Sequence, residues 1–466
     1  MSEINTPPAA LTYARRFDRR ELATLGAAML GFFVVALDAQ IVNVALADIS
    51  SSLDTGLSGL QWIVTGYTLT FSALILLAGT VSDRIGARRT YVLGMILFAG
   101  ASAACGLAPN LGVLIGARLV QGAGAALVTP TSLALIREGF TDPRQRTEAI
   151  GLWAVGGSVA AAAGPIVGGV LTLASWRLIF LVNLPVAAVA LLLTTQVARS
   201  PRRPAPLDPA GQVSAVVALG AFSFAVIEGH AYGWSDPVIL GLLVVSIVAG
   251  VVFLAAQSRG RHPMVPLGMF RSRQFSVALT IAFTSMAAFY AVVFVQSLYF
   301  QQQRDQTPLM TGLLFLPMTA LVTVVSSMAG SLVDRFGRRN LVITGLLLQC
   351  AGLAAIATLP ADLPVWAVAA AMVPVGVGGA TTVPPIASLV LESAPAEIAG
   401  TTSGILNTFR QLGGSLGVAA IGAVIAGHTT FMPGLRTGLV SAVVVLAASA
   451  ALSFTLREQR DTLGKE

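Results

Sequence analysis

Gly79-Thr80-Val81-Ser82-Asp83-Arg84-Ile85-Gly86-Ala87-Arg88-Arg89 returns as Gly330-Ser331-Leu332-Val333-Asp334-Arg335-Phe336-Gly337-Arg338-Arg339, 251 residues further along the chain. Each copy lies between two apolar runs long enough to be membrane-crossing helices. Gly86 and Gly337 permit a positive φ, so each copy reads as a tight turn. Gly79 allows the helix before the turn to end close to a neighbour. Asp83 and Asp334 suit the positive end of a nearby helix. Arg84, Arg88, Arg335 and Arg339 suit a lipid headgroup zone. The pattern fits a hairpin that latches two halves of the molecule together, or a basic loop that only fixes topology.

Outward from the repeat the chain keeps the same character. Its 466 residues are 55% hydrophobic and 11% charged, whereas soluble domains carry about 25% charged residues. So little charge does not cover a water-exposed surface, and the alternative solvent is lipid. A bilayer core takes about 20 apolar residues per helix. Such runs occupy 22–48, 58–79, 90–108, 111–135, 148–171, 177–197, 210–228, 236–256, 275–299, 309–332, 340–359, 364–391, 400–427 and 436–455, fourteen in all. An even number places both termini on one side. With the tails and alternate loops assigned to the cytoplasm, 23 of the 28 Lys and Arg residues fall there. Arg177, Arg304 and Arg436 lie opposite, and Arg118 and Arg410 lie within the membrane. This asymmetry is the positive-inside rule. It accounts for the net charge of +7 without a nucleic-acid partner.

The repeated turns follow the second and tenth runs, a displacement of eight helices. A duplicated six-helix unit with two extra helices between the copies explains it. The expected divisions are a cytoplasmic tail (1–21), a first bundle (22–197), a linker (198–209), two inserted helices (210–256), a second linker (257–274), a second bundle (275–455) and a tail (456–466). The fold expected is all-α and polytopic, in a cell membrane, with both termini cytoplasmic. Polar residues around Arg15 and Arg16 precede the first run, which reads as uncleaved. Cys105 and Cys350 both sit in apolar runs, and the three histidines show no ligand spacing. No metal or cofactor is therefore expected, and no phosphate-binding GxxxxGK[ST] loop occurs. No enzyme activity is expected either. The partners expected are a small-molecule substrate, protons and the bilayer, with the chain acting as a monomer.

Several of these stretches resemble the major facilitator superfamily. The repeated turn is similar to its signature loop, and Leu114-xxx-Arg118-xx-Gln121-Gly122-x-Gly124 to its fourth-helix motif. Gly151, Ala160 and Gly164-Pro165-xx-Gly168-Gly169 resemble the fifth-helix motif of its antiporters, with Ala160 in place of a glycine. Leu37-Asp38-Ala39-Gln40-Ile41-Val42-Asn43 through Ala47 resembles the first-helix motif of the fourteen-helix drug:proton antiporters, departing at Gln40 and Ala47. Glu228-Gly229 and Arg410-Gln411-Leu412-Gly413-Gly414 fit the same family. The resemblance implies a proton-coupled exporter of drugs, antibiotics or toxic metabolites. A nutrient symporter and a non-transporting sensor are the alternatives on the same fold.

Within that frame the candidate residues follow from cost. A charge at the middle of a spanning helix costs about 2.5–3.5 kcal/mol on insertion scales. Asp38 is the candidate proton carrier and Arg118 its tuning partner, or the two form a static ion pair. The other structural alternative is a hydrogen bond from Asn43 to Asp38 that holds the first helix in place. Gly164 and Pro165 are expected to bend the fifth helix, and Gly168 and Gly169 to admit a close partner. Candidate pocket residues are Asn43, Trp62, Tyr67, Gln121, Trp153, Phe289, Tyr290, Phe294, Gln296, Tyr299 and Arg410.

Overall fold

The computed structural model describes residues 17–202, 206–260, 263–360, 363–395 and 398–456. Most of the two expected tails, with Arg15, Arg16 and Lys465, lies outside these residues. Among the described residues there is no strand. Thirteen helices are long and apolar enough to cross a membrane, and a shorter apolar one, Leu178–Thr194, accompanies them. In chain order they are α1 (Arg19–Leu53), α2 (Leu57–Ile85), α3 (Ala87–Gly106), α4 (Leu111–Gly139), α5 (Pro143–Thr172), α6 (Leu178–Thr194) and α7 (Pro209–Tyr232). Then follow α8 (Pro237–Arg259), α9 (Arg273–Gln303), α10 (Pro308–Ser327), α11 (Arg338–Thr358), α12 (Val365–Glu392), α13 (Ala399–Ala426) and α14 (Phe431–Ser453). Every expected run has its helix.

The helix starts are written in polar residues. Asp18 and Glu21 close a reciprocal capping box on α1. Asn110, Asp142, Asp208, Asp236, Ser272 and Thr307 accept backbone N–H groups at the starts of α4, α5, α7, α8, α9 and α10. Pro143, Pro209, Pro237 and Pro308 occupy first helical positions, where no N–H is missed. The turns between α2 and α3 and before α11 are made by Gly86 (φ 93°) and Gly337 (φ 78°), as the repeat implied. Three departures from regular helix matter below. Val42–Ala45 in α1 is a 3₁₀ segment. The chain after α10 bends at Met328 into a short helix, Ala329–Phe336. The sixth helix is interrupted at Val182. Pro185 lacks the N–H that would bond the Leu181 carbonyl, which favours a break at that point.

Helices α1–α6 pack chiefly among themselves, and so do α9–α14. The two halves meet through a symmetric exchange: α2 packs on α13, and α5 on α10. The second helix of each half thus meets the fifth of the other, the contact pattern of a duplicated unit. Helix α7 lies against both α2 and α13, and α8 packs on α7. The outer side of α8 is bare hydrocarbon, including Val244, Ile247 and Val251, a surface suited to lipid. The end of the molecule that carries both glycine turns is called the loop face below, and the opposite end the far face.

Candidate functional site: a buried ion pair and a central cavity

Two polar features are built inside this apolar molecule. The first lies within the α1–α6 half. Asp38 is 0% exposed and Arg118 1% exposed. Arg118 Nη1 donates to Asp38 Oδ2 at 2.5 Å and to Gln121 Oε1 at 2.8 Å, and its Nε donates to the Ile63 carbonyl at 3.0 Å. Asp38 Oδ1 accepts from Gln121 Nε2 at 2.8 Å and from Asn183 Nδ2 at 2.9 Å. Ser102 Oγ accepts from both amides, at 3.1 and 3.0 Å, and donates to the Phe180 carbonyl at 2.8 Å. The guanidinium carbon stands 4.3 Å from the centre of the Tyr67 ring, a cation–π contact.

Five helices, α1, α2, α3, α4 and α6, supply this network. Arg118 and Gln121 are three apart on α4 and so share a face. Asn183 opens the second piece of α6, just after the interruption at Val182. Isolated buried charges are prohibitive, and paired, hydrogen-bonded ones are tolerated. Three donors converge on this carboxylate, so the network meets that condition.

The pairing of Asp38 with Arg118 was readable in the sequence; its other partners were not. Asn43 does not bond Asp38. Its amide turns back on the Ala39 and Gln40 carbonyls, and its own carbonyl accepts from Ser297. Asn183 and Ser102 lie far apart in sequence, and no motif flags them. The one available hint was Asn183 two residues before a proline in an otherwise apolar run.

The second feature is a cavity of about 910 Å³ between the halves. Gly79, Ser82, Asp83, Arg137 and Gly400 line its loop-face end, so it opens there. Trp153, Phe289, Tyr290 and Arg410, all expected in the pocket, line it. Trp153 stacks on Phe32 at 4.1 Å, with its indole N–H on Ser132 at 3.0 Å. Seven other expected pocket residues lie elsewhere. Asn43 is buried in α1, and Tyr67 and Gln121 belong to the ion-pair network. Trp62 donates to Glu228 at 2.9 Å and so ties α2 to α7. Gln296 is fully buried in α9. Phe294 and Tyr299 are likewise buried outside the cavity wall. Their common error is helical phase: an aromatic or amide in a spanning run has several buried faces to choose from.

Beyond the cavity the far face is sealed between the halves. Gln61 donates to the Val418 and Ala419 carbonyls at 3.1 and 2.9 Å, and Gln301 to the Val44 carbonyl at 3.0 Å. Glycines make the closest approaches. A Cβ on Gly169 would lie 2.7 Å from the Pro308 carbonyl oxygen, and one on Gly312 2.3 Å from that of Pro165. Gly164 and Gly168 face Gln40 and Ile41 of α1 in the same way. Helix α5 remains helical through Pro165. Gly151, grouped with these in the sequence, meets nothing within 4 Å.

The repeated turns are asymmetric. Gly86 packs on Ser200, and the Arg88 N–H donates to Ser200 Oγ at 2.9 Å. In the second copy Arg338 pairs with Glu392 through both nitrogens. Gly79 has nothing within 4 Å of a Cβ position, so it does not make the expected close approach, and Gly330 is equally open. Asp83, Arg84 and Arg335 are exposed, and Asp83 has no hydrogen-bond or ion-pair partner among the described residues. Asp334 is exposed as well, and Arg339 is half-buried. With the cavity open at this end, the latch expected of Asp83 is not engaged.

Residues 28–418 match the family model described as the Major Facilitator Superfamily. The chain belongs to that superfamily. As a major facilitator it is a transporter fold rather than an enzyme fold. It is 38% identical over 435 residues to the methylenomycin A resistance protein of Streptomyces coelicolor, covering 92% of this chain and 91% of that one. It is 38% identical to the multidrug resistance protein Stp of Mycobacterium tuberculosis, over 88% of this chain and 76% of that one. It is 34% identical to the tetracenomycin C resistance and export protein of Streptomyces glaucescens, over 87% and 76%. Among solved structures it resembles a bacterial homologue of the human lysosomal transporter Spinster in an inward-facing, unoccupied conformation. The TM-score is 0.68 at 18% identity, covering 95% of this chain and 98% of that one. That likeness is one of fold.

Proposed function

We propose that this major facilitator is a proton-coupled exporter of small amphipathic molecules of the antibiotic or drug type, working by alternating access, with the loop face cytoplasmic. The observation that carries the reading is the cavity open at one face and closed at the other by contacts between half-bundles. Such an arrangement is one end state of a rocking cycle. The names of the relatives supply the direction, because resistance at the cell level requires removal of the compound.

In the loop-face-open state a substrate enters from the cytoplasm while Asp38 is ionised and held by Arg118. Rocking of the halves engages the loop face and separates the glycine-to-backbone contacts at the far face. Arg118 lies seven residues from the far-face end of α4, Leu111, so opening that face brings water towards the pair. Protonation of Asp38 then removes the charge that holds Arg118, and the substrate leaves. Return to the loop-face-open state expels the proton and re-forms the ion pair. One pH unit supplies about 1.4 kcal/mol per proton, and 100 mV supplies about 2.3 kcal/mol per charge moved.

The test is a resistance screen in a pump-deficient host with and without a protonophore, followed by efflux from proteoliposomes under an imposed pH gradient. Asp38→Asn is expected to abolish proton-driven efflux while the protein remains folded and inserted. Normal gradient-driven export by Asp38→Asn overturns the coupling assignment.

A further inference from the structure

We propose that the cavity takes its substrate by an anionic group, a carboxylate or a similarly acidic oxygen, held at Arg410; this rests on the exporter reading and names the substrate class of that site. Two arginines lie inside the membrane-spanning region, and the protein treats them differently. Arg118 has its counter-ion built in. Arg410 has none. Its Nε is buried with no hydrogen-bond partner, and Nη1 makes one long contact of 3.4 Å to Asn407 Oδ1. The only acid among the described residues lining the cavity is Asp83, at the mouth. Arg410 is eleven residues into α13 from Ala399, roughly 16 Å along the helix axis at the usual rise. A guanidinium does not deprotonate in proteins. Its counter-charge at that depth therefore comes from outside the chain.

The surroundings define the rest of the ligand. An arginine fork offers parallel donors that suit a carboxylate in two-point contact. Tyr290, Asn407 and Gln411 stand on the same cavity wall with polar groups for a second oxygen. Aromatic surface is present on both halves: the Phe32–Trp153 stack on one side, and Phe289 edge-on to Tyr290 at 5.9 Å on the other. A cavity of about 910 Å³ with apolar walls, Arg410 in its deep wall and Arg137 at its mouth fits a drug-sized aryl or polycyclic acid. It does not fit an amphipathic cation, for which the deep wall offers no carboxylate.

The test uses the full-length protein in phosphatidylcholine nanodiscs and three probes of one shape: 1-naphthylacetate, its methyl ester and 1-naphthylmethylammonium. The acid is expected to bind at least about tenfold more tightly than either analogue. Arg410→Gln is expected to bring acid and ester to equal affinity, and Arg410→Lys to keep the acid within about threefold of the native protein. Asn407→Asp keeps the guanidinium and supplies an internal counter-ion, so it is expected to lose the acid preference without deleting a core side chain. Equal binding of acid and ester by the native protein overturns the proposal. So does an acid preference that survives both Arg410→Gln and Asn407→Asp. Adding phosphatidylglycerol to the nanodiscs is expected to leave acid binding unchanged; competition by that lipid overturns the small-molecule assignment in favour of a lipid headgroup. The exporter reading fails separately, as the absence of protonophore-sensitive resistance to every compound screened. Retained resistance with no acid preference sinks only the assignment to Arg410.

Discussion

At the scale of single residues, the ion-pair network makes predictions that separate structure from coupling. Removing one member of a buried pair leaves the other charged and unmatched, at a cost of about 3–5 kcal/mol. Asp38→Asn and Arg118→Gln are each expected to lower the melting temperature in detergent. The double variant is expected to recover much of that loss, since no unpaired charge is left, while proton-driven efflux stays absent. Full recovery of efflux in the double variant means that the pair is structural only. Asn183→Leu removes a donor to Asp38 and is expected to lower efflux without preventing insertion. Ser102→Ala is milder, with an expected stability loss of about 1–3 kcal/mol, because Asn183 and Gln121 keep their bonds to the carboxylate. Asp38 and Arg118 were legible in the sequence, since an intramembrane charge is costly and so rarely idle. Asn183 and Ser102 were not, because uncharged polar residues are common in spanning helices and their partners are set by three-dimensional neighbours.

At the scale of elements, the glycines divide into those that touch something and those that do not. Gly312→Ala places a methyl group against the Pro165 carbonyl and is expected to hold the far face apart. The measurement is labelling of Gln301→Cys by a membrane-impermeant maleimide in a background lacking Cys105 and Cys350. Labelling is expected to rise at least severalfold when Gly312→Ala is added, and efflux to fall; unchanged labelling means the seal tolerates the methyl. Gly151→Ala serves as the control and is expected to change stability by no more than about 0.5 kcal/mol. Gly86→Ala forces a side chain into a positive φ beside Ser200 and is expected to cost about 1–2 kcal/mol. Sequence motifs grouped Gly151 with Gly164, Gly168 and Gly169. Only packing separates them, because a motif records spacing along one helix and not the presence of a second.

At the scale of the whole molecule, the two half-bundles touch tightly at the far face and stand apart at the loop face. A cross-linker spanning α2 and α13 at the loop face, through Gly79→Cys and Gly400→Cys, is expected to react when that end closes and to stop efflux. Cross-linking that leaves efflux intact contradicts rocking as the transport step. The number of helices, the inserted pair and the duplication were determined by the sequence alone, because membrane insertion responds to apolar length, to charge asymmetry between loops and to local capping. Those signals act within about twenty residues. Which arginine acquires a counter-ion, which aromatics face the cavity and which face is closed were decided only by tertiary structure. In a chain buried on nearly every side, hydrophobicity no longer marks the inside, so helical phase and the register between helices are set by packing between residues far apart along the chain.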